Sequence, residues 1–426
     1  MTRVDLDTAL PQLPALTPGG QRYQRALILV ALHGMPISVI EVEVTPGVAT
    51  SPPLLAALMW RRIRTSVNTH LQEDGLPELA ALDDSKGISH TGNGTGPKCR
   101  TFPTSGLSSH DVSVVIPTIG RSAVLETLLR TLLAGMEKPR EILIALNDPA
   151  DRSVASLVRN NFAGEPVHVV DVPTRGAAHA RNTGAGRAQG RVLAFLDDDV
   201  EIDRHWMAGV LRGFGRAEEV SCVTGLILPA SLEARAQLHL QRFGGFDKGA
   251  VPTLFDNDEH VVPHPLYPFL PGIFGSGANL AVRKETFEAL GGFDERLGPG
   301  TATRGGEDID LLMRTVLTGR VIAYEPQALV HHHHRAADRE LRRTVFGYGA
   351  GLGAVLVKQA VQRDLRWELV RRLPQGIRYL LSPSSAKNVR TRNSHYPTSL
   401  RVAELAGIAS APVVYMRSRP VRSPER

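Results

Sequence analysis

The chain has 426 residues, of which 42% are hydrophobic and 22% charged, as in an ordinary soluble globular protein with enough length for two or three domains. Its two cysteines, Cys99 and Cys222, form neither a CxxC pair nor a Cys/His spacing, which indicates no disulfide framework and no zinc site and fits a reducing cytoplasm. The first ten residues carry acids and no long apolar core, and no apolar run approaches the roughly 20 residues that span a bilayer, so we expect neither a signal peptide nor a spanning helix.

Changes in composition divide the chain into four predicted regions. These are a small N-terminal α+β domain at 1–85, a flexible linker rich in Gly, Pro, Ser and Thr at 86–110, an α/β domain with the candidate catalytic motifs at 111–340, and a helical, basic C-terminal region at 341–426. In the first region, the apolar runs 25–30 and 37–44 flank a Gly-Met-Pro turn and predict a β-hairpin. Residues 54–71 have the apolar spacing of a helix.

From Asp111 onward, short apolar runs alternate with amphipathic stretches. The runs lie at 112–116, 141–146, 167–170 and 192–196, and a helical pattern at 124–133 separates the first two. Strand–helix–strand alternation predicts an α/β fold with a mainly parallel sheet and flanking helices.

Three consecutive carboxylates, Asp197, Asp198 and Asp199, follow the apolar run 192–196. Like charges at a strand tip repel, and a hard divalent cation would reverse that cost because Mg²⁺ and Mn²⁺ prefer carboxylate oxygens. In open α/β sheets, ligands also bind at the carboxyl ends of strands. The triplet therefore predicts a metal site, with a solvated acidic turn as the alternative.

Two segments of small residues suggest a ligand close to the backbone. Arg181 and Asn182 lie in the first, a helix expected to pack tightly on the sheet, where both offer hydrogen-bond donors near the acidic triplet. Asn279 ends the second, Gly275-Ser-Gly-Ala, which favours either the wall of an acceptor pocket or a tight corner of the sheet.

Glu307 and Asp308 follow a glycine-rich loop and are predicted to begin a helix. The helix dipole stabilises acids there, so capping is one explanation, and a general base that faces a pocket is the other.

Downstream, four consecutive histidines occupy 331–334. In an extended segment His332 and His334 share one face, from which a histidine could ligate the metal or bind phosphate, and a solvated run is the alternative.

The net charge of +6 is unevenly distributed. From Lys358 to Arg426 there are fourteen Lys and Arg against four Asp and Glu, a net +10 that leaves −4 for the rest of the chain. This basic region contains apolar stretches at 346–357 and 402–416 and ends with Arg417, Arg419, Arg422 and Arg426. It predicts an anchor for an anionic membrane surface, with a solvated helical face, or a core helix at 346–357, as alternatives.

Taken in order, these motifs resemble those of the family 2 glycosyltransferases with the GT-A fold, over roughly Val112 to Arg335. The motifs are a strand-end Pro-Thr, Ala-Arg-Asn-x-Gly, Phe-Leu-Asp-Asp-Asp, Gly-Ser-Gly-Ala-Asn, Gly-Gly-Phe-Asp-Glu, Gly-Gly-Glu-Asp and a downstream His. The whole chain, including the N-terminal hairpin region, looks like actinobacterial members of that family.

The resemblance implies a role for each matching residue. Asp308 matches the catalytic base with Glu307 beside it; Asp199, Asp197 and His332 match the metal ligands; and the nucleotide-sugar contacts fall on Pro117, Thr118, Asn147, Asp148, Arg181, Asn182, Asp197, Asp198 and Asn279. One departure concerns the second strand, where Leu146 stands at the position of the family's usual Asp. Asp148 would take over that role after a small shift.

The resemblance implies a metal-dependent inverting glycosyltransferase that uses Mn²⁺ or Mg²⁺ and moves a sugar from a nucleotide-diphosphate-sugar to an acceptor hydroxyl. The acceptor would be a glycan, a lipid-linked molecule or a small molecule, in cell-envelope glycan synthesis at the inner face of the membrane, without nucleic acid as a partner. Two alternatives stay open: a nucleotidyltransferase, against which the Gly-Gly-Glu-Asp block argues, and a non-catalytic nucleotide-sugar-binding protein, against which the intact acidic triplet argues.

Overall fold

The computed structural model describes residues 1–88, 96–120, 122–135, 137–148, 150–243, 246–382, 384–385, 388–389 and 396–418. Residues 89–95 of the predicted linker and the terminal arginines Arg419, Arg422 and Arg426 lie outside the described residues. The described strands form one sheet of three strands and one of nine.

The N-terminal unit contains the predicted hairpin and helix. Its elements are β1 (Thr2–Asp5), β2 (Arg25–Leu32), β3 (Met35–Glu43) and α1 (Pro52–Glu73). Strands β2 and β3 pair in antiparallel fashion, and β1 adds in parallel to β2. The turn residues His33 and Gly34 both have positive φ, 57° and 81°, as a two-residue hairpin turn that follows the twist of the strands requires.

The nine-stranded sheet confirms the predicted α/β class. Its strands are β4 (Val112–Thr118), β5 (Glu141–Leu146), β6 (Val167–Asp171), β7 (Val192–Leu196), β8 (Val200–Ile202), β9 (Val220–Pro229), β10 (Thr253–Phe255), β11 (Asn279–Arg283) and β12 (Val321–His332). They lie in the order β10-β12-β9-β11-β7-β4-β5-β6, and β8 also pairs with β12. Six strands run in one direction, and β8, β10 and β11 run against them.

Helices cover both faces of this sheet. They are α2 (Ser122–Ala134), α3 (Ser153–Asn161), α4 (Ala177–Arg187), α5 (Trp206–Phe214), α6 (Arg235–Phe243), α7 (Lys284–Ala289), α8 (Glu307–Leu317), α9 (Asp338–Val361), α10 (Arg363–Leu381) and α11 (Thr398–Arg417). One core lies between the sheet and α2, α3 and α5, and the other between the sheet and α4, α7 and α8. Val114 faces the first core and its neighbour Val115 the second, because side chains alternate along a strand.

The helix α9 packs on the large domain. This packing agrees with the alternative in which residues 346–357 form a core helix. A Cβ on Gly351 would lie 2.6 Å from the carbonyl carbon of Gly305, so glycine allows α9 to touch the loop that precedes α8. The Lys358 Nζ lies 2.9 Å from a carboxylate oxygen of both Asp294 and Asp310. Among the described helices, α9 is the one long and apolar enough to span a membrane, and half of its apolar window is buried, as in core helices of proteins that span none.

Part of the predicted flexible linker is packed against the large domain. Leu107 is buried, and the Ser105 hydroxyl donates to the carbonyl of Phe214 at 2.7 Å. A Cβ on Gly215 would lie 1.6 Å from the carbonyl oxygen of Pro103, so the chain there contacts the end of α5 directly. Within 96–110, burial and a side-chain hydrogen bond thus hold part of a segment whose composition is typical of linkers.

Candidate active site

The ends of β4 and β7 lie side by side and are joined by their side chains. The Thr118 hydroxyl donates to Asp198 Oδ2 at 2.7 Å, and both residues are buried. This bond turns the middle carboxylate of the triplet inward and leaves Asp197 and Asp199 partly exposed. Thr118 and Asp198 are predicted nucleotide contacts. In this structure their side chains bond to each other and join the ends of β4 and β7.

Pairing of β8 with β12 brings the histidine run to the acidic triplet. Val200 lies opposite His332, and the His333 amide donates to the carbonyl of Asp199 at 2.9 Å. As a result, His332 Nε2 lies 3.4 Å from Asp199 Oδ1. Asp197, Asp199 and His332 each offer a ligand atom, and all three atoms lie within 4.8 Å of one another. Two carboxylates and one imidazole suit Mn²⁺ or Mg²⁺, and the nitrogen donor favours Mn²⁺.

The histidine run has two faces, as strand alternation requires. The Nδ1 atoms of His332 and His334 lie 3.2 Å apart, whereas His333 Nε2 lies 2.7 Å from Glu201 Oε1 on the other side. Burial lowers the pKa of His334 to about 4, and the neighbouring His332 adds to the effect. A neutral His334 therefore lies behind His332.

Arg181 connects the acidic triplet to the start of α8. Its Nη2 lies 2.6 Å from Asp197 Oδ1 and its Nη1 lies 2.7 Å from Glu307 Oε1. Arg181 and Glu307 are both buried. Burial and the charge of Asp308 raise the pKa of Glu307, against the opposing effect of Arg181. In this structure the buried carboxylate of Glu307 holds the guanidinium of Arg181.

Asp308 lies partly exposed in the first turn of α8. Its Oδ2 accepts hydrogen bonds from the Gly277 amide at 2.7 Å and from the Ser276 hydroxyl at 3.3 Å. A Cβ on Gly277 would lie 2.8 Å from Asp308 Cβ, so the glycine permits this close approach. Asp308 therefore faces the loop before β11, across Arg181 from the metal candidates.

Two predicted contact residues hold loops in this structure. Asn147 accepts a hydrogen bond from the Gly176 amide and donates to the Thr174 carbonyl, both at 2.7 Å. Asn182 accepts from the amide of Phe293 and donates to its carbonyl, both at 2.9 Å. These amides satisfy backbone groups and so position the loops, and both side chains remain partly exposed.

Asn279 lies in the interior. It is 2% exposed, accepts from Trp206 Nε1 at 2.9 Å and donates to the Ala328 carbonyl at 2.6 Å. Its side chain joins β11 to α5 and β12 in this structure. Pro117 is half-buried and Asp148 is exposed at the same edge of the sheet, so both remain accessible.

Two aromatic residues that the sequence analysis missed border the metal candidates. The ring of Phe246 stacks on His332 with centroids 5.9 Å apart, and Tyr348 of α9 meets Phe246 edge-on at 6.2 Å. Tyr348 as a whole is 38% exposed, and desolvation of its hydroxyl together with the charges of Asp308, Asp197 and Asp199 raises its pKa. The C-terminal region therefore contributes to the site. Neither residue belongs to a recognisable motif, so only the fold reveals them.

Residues 113–264 match the sequence profile of glycosyl transferase family 2. This match covers about a third of the chain and shows a similarity to glycosyl transferase family 2 over that part. Asp197 and Asp199 lie inside the family 2 match, and Asp308 and His332 follow it.

Individual proteins also resemble the chain. A pre-mycofactocin glycosyltransferase of Mycobacterium tuberculosis is 29% identical over 261 residues, and the match covers 60% of this chain and 50% of that protein. The succinoglycan biosynthesis protein ExoM of Rhizobium meliloti is 26% identical over 61% of this chain and 79% of its own. A mannosyltransferase of Pyrobaculum calidifontis, solved with GDP-Man and Mn²⁺, is 16% identical, with a TM-score of 0.46 over 73% of this chain and 89% of its own. The chain thus spans about half the length of the mycobacterial relative.

Proposed function

We propose that this protein is a metal-dependent inverting glycosyltransferase that moves a sugar from a nucleotide-diphosphate-sugar to an acceptor hydroxyl. The observation that carries the proposal is the convergence of Asp197, Asp199 and His332, which Arg181 links to Glu307 beside Asp308, in a chain that matches family 2 over 113–264. The name of the mycobacterial relative, a glycosyltransferase, supports the same reaction class.

Each side chain at the site has a distinct task in this proposal. Asp197, Asp199 and His332 hold Mn²⁺ or Mg²⁺, which when bound neutralises the diphosphate leaving group. Arg181 fixes the position of Asp197 through a charge-assisted hydrogen bond. Asp308 accepts the proton of the acceptor hydroxyl, which attacks the anomeric carbon from the face opposite the leaving group. One displacement inverts the configuration without a covalent enzyme intermediate.

Donor binding can be tested by thermal stability, because a ligand that binds the folded state raises the apparent stability. We expect one member of a panel of nucleotide-diphosphate-sugars to raise the melting temperature of the full chain only when Mn²⁺ is present. Chelation should remove the shift. A shift of equal size in chelator, or no shift with any donor, would contradict the proposed donor site.

The histidine run gives a prediction about metal binding. His332→Ala should weaken Mn²⁺ binding more than any other single alanine change among 331–334, because His332 lies 3.4 Å from Asp199. His333→Ala is the matched control, since His333 pairs with Glu201 away from the cluster. Titration of Mn²⁺ against the four variants decides the matter, and a larger loss in His333→Ala would refute the assignment.

We also propose that α10 attaches the enzyme to the inner face of an anionic membrane, where a lipid-linked or cell-envelope acceptor would lie. Trp367, Val370, Leu373, Ile377 and Leu381 follow one another at spacings of three or four and are 49–63% exposed. Such a spacing places them on one face of the helix. Exposed arginines at 366, 371 and 378 accompany this face, as in helices that lie in the membrane interface.

This attachment predicts binding to lipid vesicles. The full chain should sediment with anionic vesicles at low salt, less so at high salt, because each Arg near such a surface contributes about 1 kcal/mol. Exchanging Trp367 and Leu373 together for Ser should abolish most of the binding. Val251→Ser, at an apolar residue that is 73% exposed outside the C-terminal region, is the control and should bind as the native chain does. Equal binding to neutral vesicles, or no effect of the α10 changes, would refute the proposal.

A further inference from the structure

A second group of metal-ligating side chains lies in the N-terminal part of the chain, outside the family 2 match. His33, His70, Asp74 and Cys99 each offer one ligand atom, and these atoms all lie within 4.8 Å of one another. His33 belongs to the β2–β3 turn, His70 and Asp74 to the C-terminal end of α1, and Cys99 to the short helical turn at 98–100. Cysteine spacing indicated no zinc site, because His33, His70 and Cys99 are far apart in the sequence and meet through the fold.

Three distances within this cluster are close to those of a tetrahedral coordination polyhedron. His33 Nδ1 lies 3.3 Å from His70 Nε2 and 3.4 Å from Cys99 Sγ, and His70 Nε2 lies 3.2 Å from Asp74 Oδ2. Zinc bonds to nitrogen and sulfur of about 2.1 and 2.3 Å place the ligands of a tetrahedron roughly 3.3–3.6 Å apart. His33 Nδ1 is closer to Asp74 Oδ2, at 2.7 Å.

The four side chains converge on one point. The carboxylate of Asp74, the ring of His70 and the thiol of Cys99 surround the single nitrogen His33 Nδ1. The Asp74 carboxylate links them further, since its Oδ2 also lies 3.2 Å from His70 Nε2. Each of the four groups has a lone pair to offer once deprotonated, so a cation at the centre would bind all four together.

The groups around the cluster orient its ligands. Asp74 Oδ1 accepts a hydrogen bond from the Cys99 amide at 2.7 Å, which directs Oδ2 toward the histidines. Asp7 Oδ2 accepts from the His33 amide at 2.8 Å, and Asp7 Oδ1 lies 3.9 Å from His33 Nε2. Carboxylates behind a ligating imidazole are typical of zinc sites. One thiolate, one carboxylate and two neutral imidazoles would balance the charge of one divalent cation.

We propose that His33, His70, Asp74 and Cys99 bind one Zn²⁺ in a structural site that fastens the N-terminal unit to the family 2 domain. Four protein ligands fill the tetrahedral coordination of zinc, as in structural and not catalytic sites. The site also reaches the large domain, because Arg212 of α5 donates to the carbonyl of Cys99 and lies 4.0 Å from the ring of Phe102.

Metal analysis of the purified full chain tests this site. Protein prepared without added metal should carry about one zinc per chain, as structural sites bind zinc tightly. Cys99→Ala and His70→Ala should lose it. Cys222→Ala is the matched control, because Cys222 is the other cysteine of the chain and is buried in β9. Asp199→Asn should also keep its zinc, which separates this site from the proposed Mn²⁺ site.

A spectroscopic measurement on the native chain covers the case in which the variants do not fold. Cobalt exchanged into the site should give the visible absorption of tetrahedral Co²⁺ together with a thiolate-to-metal charge-transfer band. Zinc that stays in both Cys99→Ala and His70→Ala, a native chain that is free of zinc after growth with added zinc, or an octahedral cobalt spectrum would each overturn the proposal.

Discussion

Replacement of Asp199 by Asn should abolish sugar transfer and leave the fold intact. Asp199 is one of two carboxylates in the proposed metal site, and its loss removes a charged ligand while keeping the shape of the side chain. A metal that stabilises a leaving group contributes several kcal/mol, and each 1.4 kcal/mol corresponds to a factor of ten in rate. We therefore expect turnover to fall by about 10²-fold or more at limiting Mn²⁺, measured as release of nucleoside diphosphate.

Glu201→Gln is the matched control for this experiment. Glu201 lies two residues further along the chain, in β8, and its carboxylate pairs with His333 outside the cluster. It should keep native turnover and native Mn²⁺ affinity. If Asp199→Asn retains native turnover at limiting Mn²⁺, the metal assignment is wrong.

Replacement of Asp308 by Asn should lower turnover by about 10²–10⁴-fold, the usual contribution of general-base catalysis. The affinities for Mn²⁺ and for nucleoside diphosphate should stay close to native, because a base acts in the transition state and contributes little to ground-state binding. Steady-state kinetics and binding titrations on the same preparation make this comparison.

The contacts of Asp308 also suggest a structural outcome, which the binding data distinguish. Asp308 accepts hydrogen bonds from the amides of Gly277 and Ile309, so Asn loses part of one of them. A variant that loses donor affinity as strongly as turnover would show that Asp308 shapes the loop before β11. Loss of turnover alone, with an unchanged melting temperature, supports the proton-transfer role.

The strand tips could be predicted from the sequence because they depend on local periodicity. The run at 192–196 is apolar throughout and ends in three acids, which places the triplet at the edge of a sheet. Alternation likewise predicts that His332 and His334 share a face, and their rings lie 5.2 Å apart. The same patterns do not predict that Asp199 and His332 lie close together, because the antiparallel pairing of β8 with β12 sets their distance.

Interactions distant in sequence account for what the sequence analysis missed or assigned differently. A motif identifies Asn279 as polar, and only packing shows that Trp206 and Ala328 satisfy its amide in the interior. Tyr348 reaches the site because α9 folds back on α8 through glycine contacts. Among the proposed zinc ligands, His70 lies 37 residues and Cys99 66 residues after His33, far from any zinc-finger spacing. The pair His70 and Asp74, at i and i+4 on one helix, was a detectable signal.

Product analysis tests the central proposal most directly. The full chain, incubated with Mn²⁺, an acceptor extract and a panel of nucleotide-diphosphate-sugars, should release nucleoside diphosphate from one donor and transfer its sugar with inverted anomeric configuration. Chelation should stop the reaction, and Asp308→Asn should slow it. Release of pyrophosphate would identify a nucleotidyltransferase, and metal-dependent binding of a donor that the chain neither hydrolyses nor transfers would identify a binding protein; either result would contradict the proposed function.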